Sequence, residues 1–233
     1  MPGLWVLLNS TRLRIVSPLR LAGAVCRGAV EQRVLALTFD DGPDPRYTPG
    51  ILDALEASGA RATFFFSGAA IEEHPELARR AAERHQIGTH LYSHDRTASR
   101  SLERFEAELR RAFEVHERVL GARPVALRFP FGDPGRVRIS ELRRLGVTPY
   151  HWTFSSEDSS ATSADAVADH VVPRLHAGAI ILFHDGRGPN STKGTGSRQP
   201  TVDAMPRILR AIERRGLRPV TLDDLQPIER TTP

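Results

Sequence analysis

Seven residues have types and spacings that suit hydrolytic chemistry: Asp40, Asp41, His90, His94, Arg128, Asp158 and His184. Asp40 and Asp41 are adjacent carboxylates followed by Gly42 and Pro43. Such a pair repels itself unless a cation or an arginine lies beside it. His90 and His94 are four residues apart, a spacing that on a helical turn puts both imidazoles on one face and within reach of one ion. Asp41 would complete a two-histidine, one-carboxylate set, which leaves positions open for water and substrate and suits zinc or another divalent first-row metal. Each feature also has an ordinary explanation. Asp commonly ends strands in turns, and an H-x-x-x-H pair is often incidental. What separates the two explanations is whether the fold brings these residues to one place.

The surrounding elements predict that it does. Residues 34–39 are an apolar, β-prone run, read as a buried strand that Gly42 and Pro43 terminate. Further strands are expected at 62–66, 87–89, 125–129, 146–154 (containing Trp152), 179–183 and 217–222. Helices are expected at 49–57 with Thr48 as N-cap, and at 70–86, 99–120, 137–145, 163–176 and 201–215. Leu102, Phe105, Leu109 and Phe113 form the apolar stripe of the third of these. His74, His85 and His116 lie among charged neighbours and are expected on solvated helix faces. Residues 187–200, rich in Gly, Ser, Pro and Thr, read as a loop. Strands alternate with helices, which predicts one α/β domain built on a parallel sheet or barrel. The seven residues fall at or just after strand ends, which converge on one face in such folds.

Composition narrows the classes. At 233 residues and 40% hydrophobic content, the chain can fill one sizeable domain. The formal net charge is +4, with both signs mixed along the helices and no basic block interleaved with aromatics, so nucleic-acid binding has no support. Cys26 is the only cysteine, which excludes an intrachain disulfide. The apolar run at residues 4–8 is far shorter than the ~20 residues needed to span a bilayer. It also lacks the basic start, longer apolar core and cleavage site of a signal peptide. A lipoprotein reading centred on Cys26 is rejected, because Arg20 interrupts the apolar stretch and Val25 is bulky. Residues 1–31 are expected to pack against a domain spanning 32–226, followed by a tail at 227–233.

The motifs resemble those of the polysaccharide deacetylase family, the NodB-homology domain of carbohydrate esterase family 4. T-F-D-D-G-P is present unchanged as Thr38 to Pro43. H-[S/T]-x-x-H matches at His90 and His94, with Leu91 in place of Ser or Thr. R-x-P-[Y/F]-G matches as Arg128 to Gly132, and L-x-H as Leu182 to His184. D-x-x-D-W is eroded: Ser155 and Ser159 replace the first Asp and the Trp, while Asp158 keeps the second Asp.

The resemblance implies a distorted (β/α) barrel of mostly parallel strands. It implies one divalent metal on Asp41, His90 and His94, with zinc first and cobalt or manganese as substitutes. Asp40 would be the base, held by Arg128, and His184 the general acid, oriented by Asp158. The backbone N–H of Phe131 would face the oxyanion, and Leu182 the acetyl methyl. The implied reaction is N-deacetylation of an N-acetylglucosamine glycan of peptidoglycan or chitin type, releasing acetate. O-acetyl ester or small-amide hydrolysis on the same fold, and an inactive carbohydrate-binding relative, are the alternatives. Many relatives work at the cell envelope, whereas the N-terminus alone points to the cytoplasm.

Overall fold

The computed structural model describes residues 24–189 and 196–225. The apolar run at 4–8 and the tail at 227–233 lie outside the described residues, as does part of the 187–200 loop. In chain order the elements are β1 (Val34–Asp40), α1 (Thr48–Ala57), β2 (Thr63–Phe66), α2 (Gly68–Glu73), α3 (Pro75–Ala82), β3 (Gln86–Thr89) and α4 (Leu102–Leu120). Then come β4 (Ala126–Leu127), α5 (Ile139–Arg144), β5 (Thr148–Pro149), β6 (Phe154–Ser155), α6 (Ala164–Val171), β7 (Ile180–His184), α7 (Gln199–Arg214) and β8 (Arg218–Val220).

The strands form one curled sheet in the order β5-β4-β3-β2-β1-β7-β6, and β8 pairs with the first half of β1. Every ladder between named strands is parallel. The two ends of the sheet, β5 and β6, are consecutive in the chain, so residues 150–153 carry the sheet round toward closure. Residues 25–28 help to close it: Val25 bridges to Tyr150, and Arg27 bridges to Ala179. This is the distorted, mostly parallel (β/α) barrel expected from the motifs.

β1 is buried on both faces, as parallel strands covered by helices are. Its odd residues, Leu35, Leu37 and Phe39, pack under the helices with Ile51, Phe64, Phe183 and Ile208. Its even residues turn inward. Val34 and Ala36 join Phe65, Ile180 and Val220 in an apolar plug at the base. Thr38 and Asp40 continue the same face into the polar mouth, so the alternation that builds the core also aims Asp40 at the site.

Several expectations need correction. The helix expected over 70–86 is two helices, because Pro75 forces His74 to φ −131°, ψ 59°. The strand expected over 146–154 is the two short strands β5 and β6, with Trp152 between them. Thr48 is not an N-cap: Tyr47 holds that position and the Thr48 hydroxyl is engaged elsewhere.

His85 and His116 are buried, not solvated. His85 packs against the Phe64 ring at 5.5 Å, and burial pushes its pKa down to about 4. His116 donates from Nδ1 to the Ala112 carbonyl at 2.8 Å, because the buried stripe of α4 extends to Ala112, Val115 and His116.

Candidate active site

β1 and β7 run side by side with Asp40 opposite His184, which sets a candidate base beside a candidate acid. Arg128 follows β4 and reaches across the barrel mouth. Its Nη1 donates to Asp40 Oδ1 and to Thr38 Oγ, both at 2.8 Å, and its Nη2 donates to the His151 carbonyl at 3.0 Å. The guanidinium lies 4.2 Å from the Phe65 ring centroid and 5.7 Å from that of Trp152. It is fully buried. A buried guanidinium is tolerable only with such partners, and here they fix one oxygen of Asp40 in place.

Asp41 leaves the strand with φ 79°, which swings its side chain toward His90 and His94. Its Oδ1 lies 3.0 Å from His94 Nε2 and 3.6 Å from His90 Nε2. The three potential ligand atoms all lie within 4.8 Å of one another. Asp41 Oδ1 is buried and accepts no hydrogen bond. A buried, unsatisfied carboxylate oxygen facing two imidazole nitrogens fits a divalent cation, and the O,N,N donor set suits zinc-like ions. His90 donates from Nδ1 to the Arg128 carbonyl at 2.8 Å, which leaves its Nε2 lone pair for a cation. Burial, only partly offset by Asp40, pushes His90 down to about 4 and keeps it neutral.

The two histidines are not on a helix, contrary to the spacing argument. They sit on a loop in which Leu91 (φ 63°) and His94 (φ 55°) are left-handed. Leu91 replaces the hydroxyl residue of the motif and is fully buried beside Phe105, Phe129 and Leu142. Polar support comes from elsewhere: Glu108 Oε2 accepts from both the backbone N–H and the hydroxyl of Ser93, each at 2.8 Å. Thr89 Oγ accepts the Leu91 N–H at 3.1 Å. The loop is held by packing on one side and by a carboxylate of α4 on the other.

His184 Nδ1 lies 2.8 Å from Asp158 Oδ1, and Asp158 Oδ2 accepts from the His184 backbone N–H (2.8 Å) and from Thr201 Oγ (2.9 Å). Burial alone would lower the pKa of the imidazole, but the Asp158 carboxylate overcomes it and lifts His184 to about 9. In the eroded segment, Ser155 Oγ accepts from the Glu157 N–H at 3.1 Å and Ser156 Oγ from the Asp158 N–H at 3.3 Å. These contacts, with Glu157 at φ 58°, shape the turn that delivers Asp158.

Leu182 is 5% exposed on β7, opposite Thr38 on one side and Ser155 on the other. Phe131 adopts φ 61° and its ring is 4.5 Å from that of His94. Among the described residues its N–H donates to none. Among the described residues, five of the six non-glycine residues with positive φ, Asp41, Leu91, His94, Phe131 and Glu157, are candidate site residues or neighbours of one. Such backbone clusters where a fold constrains a functional site.

Sequence reasoning missed several supporting residues. Thr38 was legible in principle, since it is two residues before Asp40 on the same face of β1. Thr201 and Arg198 support the His184 side, Arg198 Nε donating to the Gly186 carbonyl at 2.9 Å. Asp185 is buried, accepts from Thr48 Oγ at 2.5 Å and donates its N–H to the Asp40 carbonyl at 3.0 Å. Burial, with Asp41 and Asp40 adding to it, lifts Asp185 to about 8. Gly42 is required here, because a Cβ at that position would lie 2.1 Å from Asp185 Oδ2.

A carboxylate paired with an arginine, a histidine paired with a carboxylate and a cluster that could hold a cation thus meet at the carboxyl ends of parallel strands, an arrangement suited to hydrolytic chemistry. The polysaccharide deacetylase profile matches residues 27–150. A chitooligosaccharide deacetylase of Rhizobium leguminosarum bv. trifolii is 35% identical over 193 residues, covering 80% of this chain and 88% of the relative. A peptidoglycan-N-acetylglucosamine deacetylase of Bacillus cereus is 33% identical over 199 residues, covering 85% and 70%. A crystal structure of a peptidoglycan N-acetylglucosamine deacetylase, in complex with 4-naphthalen-1-yl-N-oxidanyl-benzamide, superposes with a TM-score of 0.80 at 30% identity, covering 88% and 92%. The chain belongs to the polysaccharide deacetylase family.

Proposed function

We propose that this protein is a metal-dependent N-deacetylase that releases acetate from N-acetylglucosamine-containing glycans of peptidoglycan or chitin type. The observation that carries this reading is the convergence of Asp40–Arg128, His184–Asp158 and the Asp41–His90–His94 cluster on one buried mouth. The names of the relatives support the same substrate class. They also favour work at the cell wall.

In this reading Asp41, His90 and His94 hold one divalent ion, with zinc the first candidate and cobalt or manganese as substitutes. Such an ion, when bound, polarises an acyl oxygen and lowers the pKa of water. Asp40 takes the proton from the attacking water. Its Oδ1 is committed to Arg128, so its Oδ2 is the oxygen free to act. The Phe131 N–H donates to the oxyanion, a contact whose loss typically costs ~3 kcal/mol of transition-state stabilisation. Leu182 packs against the acetyl methyl. His184 enters protonated, because Asp158 favours its imidazolium form, and gives its proton to the departing nitrogen. The water oxygen bonds to the acyl carbon, the C–N bond breaks, and acetate and a free amine leave.

Incubating the zinc-loaded protein with N-acetylchitooligosaccharides and with peptidoglycan, and quantifying acetate and free amine together, tests the reading. Equimolar release of both is expected from at least one glycan. Release from an O-acetylated sugar alone would favour the esterase alternative. Metal binding without release from any acyl substrate would favour an inactive relative, with Ser155 and Ser159 as the departures to examine.

A further inference from the structure

We propose that the cleft beside Phe131 is a subsite for a carboxylate-bearing sugar, so that the preferred glycan is anionic and not a neutral chitin-type chain. The inference rests on the deacetylase reading and narrows its substrate class.

A cleft of about 180 Å³ opens next to the metal cluster, lined in part by Asp95, Arg96, Arg100, Pro130, Phe131 and Asp133. Phe131 is its shared wall. The ring meets that of His94 at 4.5 Å, tilted by 54°, and the Arg96 guanidinium lies over it at 3.8 Å. Arg96 and the candidate metal ligand His94 therefore both contact one aromatic ring. A glycan whose N-acetyl group enters the metal cluster and whose chain leaves on this side passes Arg96 with its adjacent sugar.

The charges of the cleft are not equivalent. Asp95 is occupied within its own loop: Oδ1 accepts from the Thr97 N–H at 2.8 Å and Oδ2 from the Thr97 hydroxyl at 2.6 Å. Asp133 Oδ1 accepts from the Gly135 N–H at 2.9 Å. Arg96 and Arg100 are exposed, and among the described residues neither guanidinium makes a hydrogen bond or ion pair. The carboxylates keep their charge but accept from donors of their own loops, and the Thr97 hydrogen bonds first, with Arg100 near enough to add to them, lower the pKa of Asp95. The fork-shaped N–H donors of both arginines make no hydrogen bond among the described residues. The contact with Phe131 holds the Arg96 guanidinium at the wall of the cleft, and a guanidinium so placed can take a carboxylate in two parallel hydrogen bonds. A chitin-type chain offers no anion to such a pair. A glycan that alternates N-acetylglucosamine with a lactyl-ether sugar offers one on the adjacent ring.

The test compares two tetrasaccharides, an N-acetylglucosamine oligomer and an alternating oligomer whose every second sugar carries a lactyl carboxylate. For both, kcat/KM and calorimetric affinity are measured with the metal-loaded protein and with its Arg96→Gln/Arg100→Gln variant. The unmodified protein should prefer the anionic oligomer, and the preference should shrink with added salt. The variant should lose about tenfold in kcat/KM and affinity on the anionic oligomer while staying within about twofold on the neutral one. Equal losses on both, or no loss on the anionic one, overturn the proposal and leave the deacetylase reading standing. No turnover or binding of either oligomer by the unmodified protein overturns both.

Discussion

Asp158 grips His184 at two points: one carboxylate oxygen meets Nδ1 of the ring and the other accepts the backbone N–H of the same residue, each at 2.8 Å. Position and charge of the candidate acid are therefore set by one buried side chain. His184 stands at about 9 against an ordinary 6.5, so activity should fall on the alkaline side as the pH rises through about 9. The linked stability has the same sign. It is fully present below pH 6.5 and is lost as the pH rises through 9. In Asp158→Asn, burial dominates, the alkaline limb should move below pH 7, and kcat should drop about 100-fold or more. A pH–rate profile of the two proteins checks this, and an unmoved limb would contradict the pairing.

Arg128 should matter for stability as well as for turnover. Removing one partner of a fully buried ion pair leaves an uncompensated charge and typically costs ~3–5 kcal/mol. Arg128→Ala should therefore lower the melting temperature by roughly 6–20 °C for a domain of this size. Thermal denaturation of Arg128→Ala beside Asp40→Asn separates the contributions. Asp40→Asn keeps an acceptor near the guanidinium but leaves its charge uncompensated, so it should also melt below the unsubstituted protein, by less than Arg128→Ala, which in addition loses the contacts of the guanidinium, while losing turnover.

The candidate cation ligand Asp41 and the candidate base Asp40 are adjacent in sequence but separable. His90→Ala and His94→Ala each remove one of the three candidate donors and should abolish stoichiometric zinc binding. Asp40→Asn should retain zinc. Metal content after dialysis, measured by atomic emission, distinguishes the cases, and zinc lost equally from all three would place Asp40 in the donor set.

Glu108 gives a prediction away from the mouth. It holds the histidine loop through both hydrogen bonds to Ser93. Glu108→Ala should weaken zinc affinity by about 10–100-fold, the usual effect of removing an outer support. Glu108→Gln, which keeps one acceptor, should recover part of it. Competition with a fluorescent chelator reads both.

The sequence was most informative where local chemistry and tertiary role coincide. Residues 34–40 are apolar and β-prone, and their period-two alternation also aims Asp40, so strand and site are legible together. Arg128, His184 and Asp158 were legible through their motifs, and the strand-end positions of the fold explain why those motifs converge. The loop geometry of His90 and His94 was not legible, because a four-residue spacing fits both a helical turn and a loop with left-handed residues. His85 and His116 were misplaced because charged neighbours in sequence say little about which side of a helix faces the sheet. Thr201 and Glu108 lie on helices far along the chain from the residues they support, 43 residues from Asp158 and 15 from Ser93 respectively. No local pattern marks them. Ser155 and Ser159 read as erosion, yet Ser155 and Ser156 hold the turn that carries Asp158.

The most direct test is acetate release from an N-acetylglucosamine-containing glycan, assayed after chelation and again after Zn²⁺ is restored, with Asp40→Asn run in parallel. The account predicts activity that disappears with the chelator, returns with the metal, and is absent from zinc-loaded Asp40→Asn. Activity that persists through chelation, or that survives undiminished in Asp40→Asn, would contradict it.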